Sequence, residues 1–349
     1  MLKLTEHDLL STHEVVEPLI ADGHVCHGGF DDTGAYVSPR TLHRVPAIQA
    51  WGDAHTTAFD TELVDIGLDS FPGHSPTVAQ ATLLIGSGAP EPIISILTRI
   101  GTVEGFGALL RHAPVPTMQP LFAESIDGTA LAHLDRGLIE CHARDEAGFE
   151  SEAGHRDMWF AARDIAFERP VTEDQTELML ERMGINAAAS GSKAATFVRK
   201  WPDDTSLELE VLIERLVRLM FIEIAAFHTF VWAQAVLGND DLVAGDGEAA
   251  RLVSYIRADE TPHVGYLRVA LSELRDRTIV GDTGRHHRGA DLLAAIWEPA
   301  VADQRGPRRS ELERLVAREV HHSLAGRSDE ADLLAEYESL ADHTDEDAA

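Results

Sequence analysis

From residue 91 onward, apolar residues return every three or four positions in long runs, the spacing of one buried face of a helix. The first run covers 93–112 and stops before Pro114 and Pro116. The second starts near Asp127 and reaches about Glu168, ahead of Pro170, and a shorter pattern follows at 172–184. The third starts at Thr205, where Thr205 and Glu208 have capping-box spacing, and ends at Gly238. The fourth covers 247–277, and 290–302, 309–325 and 329–341 read as further amphipathic helices. Residues 1–85 scatter Gly, Pro and His, with short helices expected in 41–55 and 76–88. No fixed-period repeat and no useful strand alternation is visible, so the expected class is all-α. The expected division is an N-terminal extension (1–88), a helical bundle (89–280) and a C-terminal helical extension (281–349).

The third run is apolar nearly all round over 219–237, long enough to span a bilayer. Glu223 near its middle and the lack of a partner span favour a helix buried inside a soluble protein. Lys+Arg 29 against Asp+Glu 59 gives a net charge of −30. That surface repels phosphate backbones and anionic lipid, which argues against nucleic-acid or membrane-surface binding. Cys26 and Cys141 are too few for a disulfide framework or a four-thiolate zinc site. The first residues carry acids and His where a signal peptide needs an apolar stretch, so a cytoplasmic location is expected.

Each of the four long runs places a glutamate in its apolar stripe: Glu104, Glu152, Glu223 and Glu260. The second and fourth add a histidine one turn later, His155 and His263, on the same face as the glutamate. Chance placement of Glu and His gives roughly 1.5 Glu-x-x-His matches in a chain of this composition. The third match, Glu319 and His322, lies in a charged stretch that suits a wet face. The other two interrupt stripes that are otherwise apolar or small, and their order along the chain is Glu, Glu-x-x-His, Glu, Glu-x-x-His. Four buried carboxylates left unpaired would cost several kcal/mol each. Two divalent cations would cancel their charge with both imidazoles neutral, a known way to build a two-metal core. Oxygen-rich ligands with one imidazole per metal suit iron or manganese.

Across about 95–280 the chain resembles the ferritin-like di-iron carboxylate superfamily, whose fold is a four-helix bundle. The resemblance implies Glu104, Glu152, His155, Glu223, Glu260 and His263 as ligands of two Fe ions, with Mn or mixed Mn/Fe as variants. In many members an Asp directly before the last Glu holds the histidine of the other pair, which implies that Asp259 orients His155. The matching position before Glu152 is Ser151, which leaves His263 without an assigned partner. Trp159 stands where ribonucleotide reductase small subunits often carry a radical Tyr, Phe227 replaces the Thr of hydrocarbon hydroxylases, and Ile256 replaces the extra His of arylamine N-oxygenases. The Cys-x-x-Cys module of rubrerythrins is absent.

The resemblance implies a di-iron oxidase or oxygenase that uses dioxygen to oxidise a small organic substrate at C–H or N. Its electrons would come from a separate reductase or ferredoxin, and a homodimer is the default oligomer. The alternatives are a ferroxidase or peroxide-detoxifying protein, and a metal-free helical interaction protein. Asp145 lies on the second stripe, either beside the ligands or filling polar space at the bundle end. Gly101, Gly105 and Gly107 surround Glu104, and Ala225 and Ala226 follow Glu223; these small residues fit room for substrate or dioxygen, or, at the Gly101/Gly105 pair, close helix contact. Pro262, inside the last motif, is expected to kink its helix. His24, His27, His286 and His287 read as loop or solvated histidines, His228 as a core histidine, and Cys141 as a small buried hydrophobe.

Overall fold

The computed structural model describes residues 2–167 and 197–341; the pattern at 172–184 lies outside them. Helix accounts for 61% of the structure and strand for 8%, so the helical class holds with a small β appendage. The helices are α1 (Glu6–Leu10), α2 (Arg44–Phe59), α3 (Val78–Gly86), α4 (Glu91–Gly105), α5 (Ile139–Ala147) and α6 (His155–Phe167). They continue with α7 (Leu207–Leu237), α8 (Glu248–Arg275), α9 (Gly289–Arg305), α10 (Pro307–Leu324) and α11 (Glu330–Ser339).

The two longest helices, α7 and α8, lie against each other; α4 packs on α6, and α6 on α8. Ser206, not Thr205, caps α7, its hydroxyl accepting from the Leu209 N–H. The approach of α4 to α6 needs Gly101 and Gly105. A Cβ on Gly101 would stand 2.7 Å from the Phe160 ring, and one on Gly105 would stand 2.7 Å from the Arg156 side chain. Close helix contact is therefore what this glycine pair provides. Helix α8 runs through Pro262 as one element.

Residues 127–168 do not form the single helix expected from their pattern. Irregular turns cover 131–138, where Gly137 adopts φ 130°. Helix α5 then ends at Ala147, capped by Gly148 at φ 79°, and the chain loops before α6 begins. The apolar periodicity carries across both breaks, so stripe counting joined pieces that the backbone separates.

A three-stranded antiparallel sheet, β1 (Glu17–Ala21), β2 (His24–Phe30) and β3 (Tyr36–Val37), was not expected from the pattern. Its strands are short and rich in His and Gly, which erases alternation. The local signal was its turn, Asp22-Gly23, with φ of 46° and 80° as a tight hairpin demands. The sheet braces the loop after α5: Ala153 donates to the Val25 carbonyl at 2.8 Å and accepts from the His27 N–H at 3.3 Å. A second hairpin, β4 (Thr278–Val280) and β5 (His286–Arg288), follows α8.

Apolar side chains form two clusters. One joins α2, α5, the first half of α7 and the second half of α8; the other joins α4, α6 and the remaining halves. Between them lie Glu223, Glu260 and His263, all buried. By length and composition Glu91–His112 and Leu207–Leu237 could each cross a membrane, but the core helix of a soluble protein passes the same test.

Candidate metal centre

Seven side chains converge at the junction of the two clusters, in two groups that could each hold a metal ion: His142, Glu146, Glu223 and His263, and Glu104, Glu146, His155 and Glu260. Within each group the ligand atoms lie within 4.8 Å of one another. His142 and Glu146 stand one turn apart on α5, Glu260 and His263 one turn apart on α8, and His155 opens α6. Glu104 comes from the end of α4 and Glu223 from the middle of α7.

Two carboxylates span the groups. Glu260 Oε1 is 2.9 Å from His155 Nδ1, and its Oε2 is 2.6 Å from His263 Nδ1. Glu146 Oε1 lies 3.3 Å from His263 Nδ1 and 3.4 Å from His142 Nε2, while its Oε2 is 3.6 Å from His155 Nδ1. Glu223 Oε1 is 3.1 Å from His142 Nε2. Each imidazole turns one nitrogen to this centre and has the other held from outside. His155 Nε2 pairs with Asp259 Oδ2 at 3.3 Å, His263 Nε2 with Asp145 Oδ2 at 3.0 Å, and His142 Nδ1 with the Tyr266 hydroxyl at 3.1 Å. Fixing the outer nitrogen leaves the inner one free to ligate.

The aspartates are anchored by the N-terminal segment. Arg40 Nε donates to Asp145 Oδ1 at 2.6 Å, and Arg44 lies 2.7 Å from its Oδ2, all three residues being buried. Tyr36 donates its hydroxyl to Asp259 Oδ2 at 2.9 Å. Burial opposes the charge on Asp145, but Arg40 and Arg44 hold its carboxyl well below the usual range.

The inner groups carry the marks of negative charge packed together. Burial, then the charges of Glu260 and Glu104, push Glu146 well above the usual carboxylate range. Burial and Glu260 push Glu223 up to about 7. Burial works against a charged His155, yet Glu260 and Glu146 hold its pKa well above the usual value. His142 Nε2, His155 Nδ1, Glu146 Oε1 and Glu260 Oε1 are buried, and despite their short contacts none makes a well-directed hydrogen bond among the described residues; all four face the centre. Buried polar atoms without partners are costly, and a cation in each of the two groups would satisfy them. The donor set, four carboxylates and three imidazoles, fits divalent metal.

Five of the six residues expected as ligands meet here: Glu104, His155, Glu223, Glu260 and His263. Glu152 does not. Its side chain is 49% exposed in the loop after α5 and pairs with His27. Glu146 takes its place, because α5 ends at residue 147 and the loop carries Glu152 off the inner face. This resolves the missing partner of His263. The residue directly before Glu146 is Asp145, which stands to His263 as Asp259 stands to His155. Trp159 is buried one turn after His155 and stacks on Phe230 with ring centroids 5.8 Å apart; its indole N–H finds no partner among the described residues. Tyr266, whose place one turn after His263 is visible in the sequence, holds His142 from outside. His142, Tyr36, Arg40 and Arg44 carry no motif in the sequence; for His142 the available signal is its position one turn before Glu146.

Gly107 also serves the centre, since a Cβ there would run into the Glu146 side chain. A cavity of about 330 Å³ reaches Glu104 between α4 and α7, with Ile100, Val103, Ala225, Ala226 and Phe230 in its walls. His228 also lines it and hydrogen-bonds the Leu68 carbonyl at 3.1 Å, so it is a pocket histidine apart from the metal groups. Cys141 is a buried core residue as expected.

No known family model matches the chain, and no curated protein or solved structure is significantly similar to it.

Proposed function

We propose that α4, the α5–α6 pair, α7 and α8 form a ferritin-like four-helix bundle around two metal ions, and that the protein is a cytoplasmic di-iron oxidase or oxygenase. The observation that carries this reading is the convergence of four glutamates and three histidines with their unpartnered atoms facing one centre. Glu146 and Glu260, which reach both groups, would be shared by the two ions; Glu104 and His155 would help hold one, and Glu223, His142 and His263 the other. Iron, or manganese in its place, would supply the dioxygen chemistry when bound.

The chain's own residues set the conditions for that chemistry. Asp145 and Asp259 fix the tautomers of His263 and His155, Tyr266 orients His142, the two apolar clusters keep bulk water away, and Gly107 gives Glu146 its space. The cavity ending at Glu104 favours a small organic substrate over iron handling, which needs no such chamber. Electrons come from a separate reductase or ferredoxin.

The test is metal content per chain by elemental analysis, on wild type and on Glu223→Ala. We expect about two iron or manganese ions per wild-type chain and a clear loss in the variant. Dioxygen uptake that needs both reductant and organic substrate then separates an oxygenase from a ferroxidase. No metal after refolding with Fe(II), together with unchanged stability in the variant, would overturn the reading.

A further inference from the structure

The cavity beside Glu104 is lined by a cation, Arg99, that has no ion-pair partner among the described residues. Arg99 lies on α4 with Glu104, five residues earlier and so about 7.5 Å along the helix axis, and both line the chamber. Arg309, at the same cavity, is paired with Glu313 at 2.6 Å. Arg99 makes no hydrogen bond or ion pair with any described residue. Glu319 attracts it only from beyond ion-pair distance and accepts instead from Ser95 Oγ at 3.3 Å. Burial pushes the Arg99 guanidinium down to about 10, which still leaves it charged at neutral pH. The facing wall, Ile222, Ala225, Ala226 and Phe230, offers no counter-charge.

We propose that Arg99 binds the carboxylate of an apolar organic acid whose chain lies in this cavity and runs toward Glu104. A guanidinium with free N–H groups beside an apolar chamber is made for a planar, bidentate carboxylate. The acidic Glu313 and Glu319 nearby favour a monoanion over a phosphate dianion. In this pose the carboxylate sits away from the metal positions, and carbons several bonds along the chain lie beside Glu104. Arg99 is thus a specificity residue. The inference deepens the proposed oxidase reading and rests on it for the meaning of "substrate", though the binding itself stands on the cavity alone.

The experiment is calorimetric titration of the full-length protein with decanoate and with decanol, its neutral counterpart. Wild type is expected to bind decanoate about tenfold or more tightly than decanol. Arg99→Gln removes that preference while leaving decanol affinity unchanged, and Arg99→Lys restores part of it. Ala226→Phe, which narrows the chamber, weakens both ligands. An unchanged preference in Arg99→Gln, or unchanged affinities in Ala226→Phe, overturns the proposal.

Glu223→Ala separates the two readings. Decanoate binding that survives in this variant after its metal is lost supports Arg99 as the anchor. Binding that vanishes with the metal and ignores Arg99→Gln makes the carboxylate a metal ligand and overturns the proposal. A decanoate preference in wild type that never holds metal keeps the pocket and removes the oxidase.

Discussion

The two Glu–His pairs of the centre reach the same arrangement by different backbones. On α8, Asp259, Glu260 and His263 follow one another within one turn of an unbroken helix. In the other half Asp145 and Glu146 close α5, and His155 opens α6 on the far side of a loop. In space the halves are reciprocal: each aspartate holds Nε2 of the other half's histidine, and each of these histidines shows Nδ1 to the centre. The loop is closed by glycines. A Cβ on Gly154 would come within 2.7 Å of the Asp145 and Glu146 carbonyl oxygens, so only glycine lets α6 start this near the end of α5. The centre thus requires positions in space, and one turn of helix is only the shortest way to supply them.

The sharpest break of this comparison sets Glu146→Ala against Glu152→Ala. Glu146 belongs to both groups, so its loss should take metal content from about two ions per chain to less than one. Glu152 has the familiar spacing to His155 but lies in the loop, so its variant should hold as much metal as wild type. Elemental analysis of the two purified proteins decides between them. The reverse result would restore an unbroken helix through 146–155 and cancel the asymmetry between the halves.

The halves also differ in how their aspartates are charged and held. Asp145 faces two buried arginines, so Asp145→Asn leaves both without a counter-charge and should cost about 3–5 kcal/mol of stability at pH 7. The folded-state pKa of Asp145 is depressed well below the ordinary aspartate value of 3.8. Its stabilisation is therefore complete above that value and is lost as pH falls below it toward the folded-state pKa. Urea unfolding of wild type and variant at pH 7 and at pH 3 should show the gap narrowing at the lower pH. An equal gap at both values would mean that the variant acts through packing rather than through lost charge.

The α8 half was legible in the sequence because one helix carries its whole motif, and periodicity is reliable within a single helix. The other half was half legible. His155 is visible in its stripe, but the apolar spacing runs on through the loop between α5 and α6 and so points to Glu152 rather than Glu146. Two local cues pointed the other way: the Asp-Glu dyad at 145–146 repeats the one at 259–260, and Gly148 and Gly154 bracket the break. The role of residues 36–44 had no sequence signal at all. Tyr36, Arg40 and Arg44 become meaningful only once the fold carries them against Asp259 and Asp145, since pairing over more than a hundred residues leaves no local pattern.

That distant support yields the smallest effect. Tyr36 is to Asp259 what Arg40 and Arg44 are to Asp145, but it gives one hydrogen bond where they give two full charges. Burial and the Asp259 charge push the Tyr36 hydroxyl well above its ordinary value, so it stays protonated and donating. Tyr36→Phe removes that donor and keeps the ring, which stacks on Tyr255 with centroids 4.4 Å apart. The expected cost is about 1–2 kcal/mol in urea unfolding, well short of the Asp145→Asn penalty. A cost as large as that of Asp145→Asn would mean that the N-terminal sheet secures both halves equally. No cost would leave Asp259 held by His155 alone and confine the segment's role to the α5 side.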